Sequence, residues 1–307
     1  MVGVYALFRQ LQQVSNIALD FLDEDDLTAE GLAPLRLLIL TEPDIPTEGQ
    51  AAIATWIQAG GHVLTLSGAG AYDRYHRPST TLSDATGIIE APRERLMVAY
   101  GSTLGAVANG SGTLGDFTAN GVRGQITSFD SADFTILAKY SGDGDPAVVS
   151  RAVGKGRVTH FTFFPGIRHH DGSPYHAVPH FNSLTNFTDG SLPYVLDCVA
   201  KAGVQPRVRV SELQVETPLL SSDAGAVLTL LNWREAPVAA LKVQVHLSYA
   251  VDRVTAIQGK ASVPFTSTPA AAAAPSAGGF WVNFTLPLEH GDFVTLRAKK
   301  QAYDRLL

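Results

Sequence analysis

Apolar residues in the first half of the chain alternate between helical and strand-like spacing. Over Val4–Val14 they recur at steps of three and four, which predicts an amphipathic helix. Leu35–Leu40 is aliphatic apart from Arg36, a composition typical of a strand covered on both faces in a parallel sheet. A helical stretch follows Pro46, and His62–Ser67 is the next strand. This order predicts a β-α-β unit with parallel strands and a right-handed crossover.

Local signals mark the ends of these elements. Thr47-Glu48-Gly49-Gln50 has the spacing of a capping box, in which Gln50 would reach back to the start of the helix. Gly60-Gly61 provides a left-handed stop for that helix, and a short strand is predicted over Ile17–Leu22. Ser67-Gly68-Ala69-Gly70 follows the end of a predicted strand, which is where open α/β sheets bind their ligands.

Antiparallel segments are predicted after this unit. The stretch 92–140 is rich in Gly, Ser and Thr and contains short alternating segments, which favours an antiparallel insertion. Ala147–Ala152 and Val158–Phe164 are predicted strands, joined by the glycine turn at 154–156. After a long loop, Leu192–Ala202 is predicted to form a helix with Cys198 on its buried side.

The second part of the chain has a different period. From about Val208, apolar residues alternate with polar ones in short stretches separated by turns, which predicts an antiparallel β-sandwich. The Ala/Pro tract at 269–275 is interpreted as a loop. The predicted fold class is α/β: residues 1–205 form a flavodoxin-like domain with an open parallel sheet and an insertion at about 92–140, and residues 206–307 form the sandwich.

Composition excludes several kinds of partner. The 307 residues include 23 basic and 29 acidic side chains, a net charge of −6, without a basic run, so we expect no nucleic-acid binding. No apolar run approaches the ~20 residues of a membrane-spanning helix, and no signal segment is recognised. These features favour a cytoplasmic protein without a membrane partner. The single cysteine excludes a disulfide framework and a Cys-rich zinc site.

Several segments together resemble a known family. Phe21-Leu22-Asp23-Glu24-Asp25-Asp26-Leu27, Ala59-Gly60-Gly61-His62-Val63-Leu64 and Gly154-Lys155-Gly156-Arg157-Val158 resemble the glutamine-amidotransferase-like domain that follows the barrel in family 42 β-galactosidases, where it is called the trimerisation domain. Glu216-Thr217-Pro218-Leu219-Leu220, Leu230-Leu231-Asn232-Trp233 and Leu286-Pro287-Leu288 are similar to the β-sandwich of such proteins. The resemblance implies a class I glutamine-amidotransferase-like fold and a homo-oligomer, a trimer or dimer.

The chain departs from that family in its chemistry. The family's catalytic carboxylates lie in a preceding barrel, for which this sequence has no segment. Class I amidotransferases need a cysteine nucleophile on a strand-to-helix elbow, whereas Cys198 lies in the middle of a predicted helix. Met1 leads directly into the first helix, where a flavodoxin-like domain begins with a strand, so that strand is absent or the chain is a piece of a longer protein. The resemblance therefore implies an accessory or oligomerisation module of a carbohydrate-active system.

The alternative hypothesis is a stand-alone hydrolase of esters or glycosides. Ser67, on a glycine turn after a buried strand, is the candidate nucleophile, His76 or a histidine of the later loop its base, and Asp73 the orienting acid. Tyr72, Arg74 and Arg77 would bind a carbohydrate or small ester in the same crevice. A structural turn with surface ion pairs is the competing interpretation, favoured because glycine turns and exposed ion pairs are common.

Histidines and tryptophans give weaker signals. Five of the nine histidines lie within 21 residues, and His169, His170 and His176 are candidate binding residues. Imidazoles there could bind zinc or act as a base, but no fixed ligand spacing is present, so a structural or interface role is favoured and we expect no metal and no cofactor. Trp233 and Trp281 lie in predicted sandwich strands, where exposed rings could stack on sugars and buried rings would pack in the core.

Overall fold

The chain divides into an α/β unit and a β-sandwich unit. The computed structural model describes residues 7–91, 106–120, 123–128, 134–166, 190–234, 236–270 and 278–299. Within these ranges the α/β unit combines Leu7 with Asp20–Val204, and the sandwich unit combines Phe8–Leu19 with the chain from Gln205 onward. The segment Phe8–Leu19 thus groups with the sandwich unit, whereas the predicted boundary lies between residues 205 and 206.

Two parallel strand pairs form one end of the main sheet. Strands β1 (Leu37–Leu40) and β2 (His62–Leu66) are parallel, with Ile39 opposite Leu64. The predicted β-α-β unit is therefore confirmed. Strand β2 also pairs in parallel with a later strand, Gly156–Phe161, and Thr65 lies opposite His160 in that pair.

The rest of the sheet is antiparallel. The unit also contains β3 (Ile89–Glu90), β4 (Ala106–Gly112), β5 (Gly115–Asn120), β6 (Ile126–Ser128), β7 (Phe134–Tyr140), β8 (Pro146–Val153) and β9 (Gly156–Phe161). Seven strands form the order β1-β2-β9-β8-β7-β4-β5, while β3 pairs with β6. Part of the predicted insertion thus extends the main sheet, and the parallel arrangement is limited to three strands. The predicted fold class is confirmed as a mixed α/β architecture.

Helices cover both faces of this sheet. Among the described residues the α/β unit contains α1 (Ala29–Leu32), α2 (Thr47–Ala59), α3 (Thr81–Thr86) and α4 (Leu192–Lys201). Ile53 and Ile57 of α2 lie in one apolar cluster with Val63 and Val158 of the sheet. Side chains alternate along a strand, so the residues next to these point to the opposite face of the sheet. Helix α4 packs on that face, where the centroid of its Tyr194 ring lies 6.1 Å from the centroid of the Phe117 ring.

The sandwich unit consists of two antiparallel sheets around one core. Its strands are β10 (Val208–Val210), β11 (Val215–Glu216), β12 (Leu219–Ser222), β13 (Gly225–Asn232), β14 (Val238–Leu247), β15 (Val251–Ala256), β16 (Ala261–Ser262), β17 (Phe265–Pro269), β18 (Phe280–Leu288) and β19 (Gly291–Ala298). One sheet has the order β10-β14-β18-β17, and the other has the order β11-β13-β19-β15-β16 with β12 beside β13. The predicted sandwich is confirmed. The loop predicted at 269–275 falls mostly outside the described residues.

The N-terminal prediction was partly wrong. A π-helix occupies Arg9–Val14, so a helical segment ends at Val14 as predicted. Ile17–Leu22, however, has no regular secondary structure, and three of its six residues are exposed. The segment carries strand-forming residues, but a strand requires a paired neighbour for its backbone groups. No described helix is long and apolar enough to cross a membrane.

Candidate functional site

The carboxyl ends of β2 and β9 bring polar side chains together. Thr65 lies in β2 and Ser67 follows it, while His160 lies in β9. Because the two strands are parallel, their final residues meet at the same edge of the sheet. Glu90, at the end of the two-residue strand β3, reaches the same place with its side chain.

These residues form a chain of short polar contacts. The Ser67 hydroxyl donates to Glu90 Oε1 at 2.8 Å, and the Gly68 N–H donates to Glu90 Oε2. The Nε2 atom of His160 lies 3.4 Å from Glu90 Oε1, at the long limit of a hydrogen bond, and its Nδ1 lies 2.8 Å from the Thr65 hydroxyl. The order is therefore serine, carboxylate, imidazole, threonine. A catalytic triad instead places the imidazole between serine and acid.

The carboxyl group of Glu90 is held in its charged form. Burial by itself raises its pKa, but the electrostatic interaction with the nearby His160 imidazole and the hydrogen bonds from Gly68 and Ser67 outweigh burial, so the net pKa lies below the ordinary value. Hydrogen bonds that favour the charged form are a recognised cause of such a shift. Glu90 therefore acts as a buried anion that orders the groups around it.

The Ser67 hydroxyl is enclosed by backbone. Ser67 is 1% exposed, and a Cβ atom added at Gly124 would lie 2.4 Å from its hydroxyl oxygen and 2.3 Å from Glu90 Oε1. The Gly124 N–H donates to the Thr162 carbonyl, which fixes this approach. In this arrangement the hydroxyl serves as a structural donor to the carboxylate.

A compact turn holds the other predicted residues. Asp73 Oδ1 accepts hydrogen bonds from the N–H groups of Tyr75 and Arg77, each at 2.9 Å. The carboxylate therefore shapes the turn through the backbone, as Asp side chains often do. The guanidinium of Arg77 lies over the Tyr75 ring at 5.4 Å. Arg74 lies within ion-pair distance of two exposed carboxylates, Glu24 and Glu48.

His76 has a different acidic partner from the one predicted. Its Nδ1 lies 2.6 Å from Asp44 Oδ1, and its ring stacks on Tyr72 with the centroids 4.1 Å apart. The residue has a positive φ of 59°, and its side chain is 52% exposed. Asp44 comes from the loop after β1, so two strand-end loops supply this exposed imidazole–carboxylate pair.

Gln50 attaches the turn to helix α2. Its side-chain amide donates to the carbonyl oxygens of Ile45 and Tyr72 at 2.8 and 2.9 Å, and its Oε1 accepts from the Ser79 hydroxyl. The predicted capping box is therefore wrong, because Gln50 is fully buried and bonds to the loops at the strand ends. Pairing of a buried amide at both ends stabilises this loop arrangement.

The predicted site residues thus fall into three groups. The structure brings five of them together in one turn: Tyr72, Asp73, Arg74, His76 and Arg77. Ser67 donates to Glu90 in a separate, buried cluster. Three lie outside the described residues: His169, His170 and His176. Over the part of the chain that is described, no group of three or more His, Cys, Asp or Glu side chains is arranged to hold a metal ion.

Cys198 lies on the buried side of α4, as predicted. It is 2% exposed, and burial raises the pKa of its thiol to about 11. A thiol with that pKa is almost entirely protonated near neutral pH and is a poor nucleophile. The buried position of Cys198 in the middle of α4 therefore agrees with the prediction that it is not an amidotransferase nucleophile.

Sequence reasoning missed Glu90 and Asp44. Glu90 follows two isoleucines, and an acidic residue at the end of an apolar segment is a weak sign of burial with a partner. Asp44 lies just before Pro46, where it reads as an ordinary loop residue. Neither has a motif, because their contacts join segments that are far apart in the chain.

Comparison with known proteins identifies the fold. No protein-family model and no curated protein matches the chain. A β-galactosidase from Bacillus circulans sp. alkalophilus matches with a TM-score of 0.64 at 13% identity, over 96% of this chain and 37% of that one. A catalytic mutant of a GH42 β-galactosidase from G. stearothermophilus matches with a TM-score of 0.62 at 13% identity, over 96% of this chain and 36% of that one. The β-galactosidase of Rahnella sp. R3 matches with a TM-score of 0.59 at 15% identity, over 96% of this chain and 36% of that one.

The fold is therefore related to that of GH42 β-galactosidases. This chain spans a little over a third of the length of these enzymes. Identity of 13–15% supports a shared fold and does not extend to activity.

Proposed function

We propose that this chain is a non-catalytic, oligomer-forming module of a carbohydrate-active, β-galactosidase-like system. The observation that carries the proposal is the extent of the structural match. Both units of the chain align with β-galactosidases over 96% of its length, yet cover only 37% of the first of those enzymes. The match therefore supports a module of the kind that such an enzyme contains.

The buried cluster at the strand ends supports a non-catalytic role. In a glutamine-amidotransferase-like domain, the nucleophile must be an exposed, activated group on the turn after a strand. Ser67 occupies the turn after β2, but it is 1% exposed and donates its hydrogen to Glu90. Cys198 is buried in α4 with a raised pKa. We assign the α/β unit to the amidotransferase-like type, with assembly as its role.

The first expected result concerns assembly. The purified chain should sediment as a dimer or trimer at micromolar concentration, since a stable interface buries ~1,200 Å² or more in total. Sedimentation velocity over a dilution series measures this directly. A repeat at high salt identifies the forces involved, because charged contacts weaken with salt whereas apolar ones do not. A single monomeric species at every concentration would overturn the assembly role.

The second candidate function is hydrolysis, which the exposed imidazole–carboxylate pair favours. His76 Nδ1 lies 2.6 Å from Asp44 Oδ1, which is the geometry of a base and the group that orients it. The Nε2 atom of a half-exposed imidazole is then available to accept a proton. Asp44 replaces Asp73 in this form of the hypothesis, and Ser67 would have to leave Glu90 to act as nucleophile.

The first proposal predicts that the wild type does not turn over nitrophenyl esters or nitrophenyl glycosides above the rate without protein, whereas the hydrolase candidate predicts that it does. Absorbance assays of the wild type, S67A and H76A test the expectation. A loss of activity of about a hundredfold or more in both variants would establish the hydrolase and reject the first proposal, because general-base catalysis contributes factors of that size. Glu48→Gln, which changes an exposed carboxylate 75% accessible to solvent, is the matched control.

A further inference from the structure

The outer face of the sheet β10-β14-β18-β17 is basic in an otherwise acidic protein. The four strands contain no Asp or Glu, although the chain has 29 acidic residues and a net charge of −6. Arg209 and Lys242 are exposed on these strands, and Arg207 is exposed just before β10. We call this surface the basic–aromatic face, after its charged residues and the tryptophan described next.

An aromatic ring lies among these cations. The guanidinium of Arg209 lies 4.6 Å from the centroid of the Trp281 ring, and the His246 ring lies 5.1 Å from it. His246 and Trp281 are cross-strand partners in β14 and β18, which holds the rings side by side. Stacking on the indole orients the planar guanidinium. One of its N–H groups donates to Gln205 Oε1 at 3.4 Å, and the others are left to bind an anion.

Neutral polar groups continue the face beside the ring. The Gln244 amide donates to Asn283 Oδ1 at 2.8 Å, so these side chains form a fixed amide pair next to Trp281. Thr268 lies opposite Trp281 and Thr266 opposite Asn283 in β17, and both threonines are exposed. Amides and hydroxyls at fixed positions beside an indole are groups that bind the hydroxyls of a sugar.

The two arginines lack carboxylate partners. Within the described part of the chain, no carboxylate lies within ion-pair distance of Arg207 or Arg209, whereas Arg297 on the other sheet pairs with Asp252 at 2.7 Å. The two arginines also affect His246. Burial lowers the pKa of its imidazole, and the positive charges of Arg207 and Arg209 lower that pKa further. Guanidinium groups without a carboxylate partner, one of them stacked on Trp281, are suited to a carboxylate or sulfate.

We infer that the basic–aromatic face binds an anionic saccharide, a sugar chain that carries carboxylate or sulfate groups. The anionic group contacts Arg209 and Arg207, and the sugar hydroxyls contact the amide pair and the threonines, beside Trp281. The arginines without carboxylate partners indicate that the ligand carries a negative charge. The indole and the neutral polar groups beside it indicate that the ligand is a sugar. This inference deepens the carbohydrate part of the proposed function and is independent of assembly, which sedimentation tests separately.

Titration calorimetry on the full-length chain tests the inference with three probes. Tetragalacturonate carries carboxylates, a sulfated galactan tetrasaccharide carries sulfates, and galactotetraose is neutral. We expect saturable binding of one or both anionic probes and at least tenfold weaker binding of galactotetraose. Binding should weaken between ~50 and ~200 mM salt, because released counterions contribute to it.

Variants locate the site. R209Q should weaken binding of the anionic probe at least tenfold. R209K should weaken it less, because lysine keeps the positive charge but lacks the planar guanidinium group. W281A tests the aromatic contribution. R253Q, which removes an exposed cation from the other sheet, should change affinity less than twofold. Thermal unfolding of each variant shows that the sandwich stays folded.

Other results would overturn the inference. These are the absence of heat with both anionic probes, equal affinity for galactotetraose, or equal losses in R209Q and R253Q. An oligodeoxythymidylate of matched charge is a further probe. If it bound as tightly as the anionic saccharides, the face would recognise charge alone, and the assignment to a sugar would be rejected.

Discussion

Replacement of Glu90 by alanine should lower the free energy of unfolding of the α/β unit by about 3 kcal/mol, because loss of one partner leaves the others buried and unsatisfied. Ser67 and the Gly68 N–H would both lose their acceptor, and the imidazole of His160 would lose its nearby carboxylate. Hydrogen exchange of peptides from β2 and β9 measures the change in this unit separately from the sandwich.

The glutamine variant separates charge from hydrogen bonding. E90Q keeps an acceptor oxygen but loses the negative charge, so its cost should be smaller, about 1–2 kcal/mol near pH 7. The pKa of Glu90 is lowered in the folded protein, so the stability from its charge is complete above the ordinary value of 4.5 and is lost as pH falls through the folded pKa. The difference between wild type and E90Q should therefore shrink below that value.

Glu48→Gln is the control for both effects. This carboxylate lies on α2, is 75% exposed and has a 3.5 Å contact to Arg74, so its loss should cost less than ~1 kcal/mol. A Glu90→Ala variant as stable as the control, or an E90Q difference that is constant from pH 3 to pH 7, would show that the buried cluster does not stabilise the unit.

Replacement of Leu228 by alanine should destabilise the sandwich unit by about 3 kcal/mol, within the range for cavities left by deletion of a buried leucine. Leu228 is fully buried in the core cluster between the two sheets. For a unit of about 100 residues, a loss of that size lowers the melting temperature by more than ~10 °C. Differential scanning calorimetry of the full chain, which follows the transition of each unit, measures the shift.

The neighbouring residue provides the matched control. Val227 points to the opposite face of the same strand and is 39% exposed, so V227A should change stability by less than ~0.5 kcal/mol. If both variants lost similar stability, the inside–outside alternation of β13 would be wrong. If L228A also lowered the melting temperature of the α/β unit, the two units would unfold together.

Much of the topology could be predicted because apolar spacing is a local property. The aliphatic residues of Leu37–Leu40 and the alternation from Val227 onward each indicate a strand from neighbouring residues alone. Glycines close to those runs mark turns for an equally local reason: Gly60 adopts a φ of 130°, which L side chains rarely adopt.

The misses have a common cause in distant contacts. Ile17–Leu22 has strand-forming residues but no strand beside it, and pairing is decided by other parts of the chain. Gln50 matches a capping box in sequence, yet its amide bonds to Ile45, Tyr72 and Ser79 because two loops close around it. A local motif competes with such tertiary partners and loses when burial makes their hydrogen bonds stronger.

The candidate site shows the same division. The sequence by itself determined that Ser67 follows a buried strand and that His76 lies in a polar turn, since both statements depend on residues a few positions away. Only the tertiary structure decided that Ser67 faces Glu90, that His76 pairs with Asp44, and that strands free of acidic residues place Arg209 on Trp281. Hydrophobic periodicity is set by nearest neighbours along the chain, whereas the partner of a polar group depends on which distant segments the completed core brings within about 3 Å.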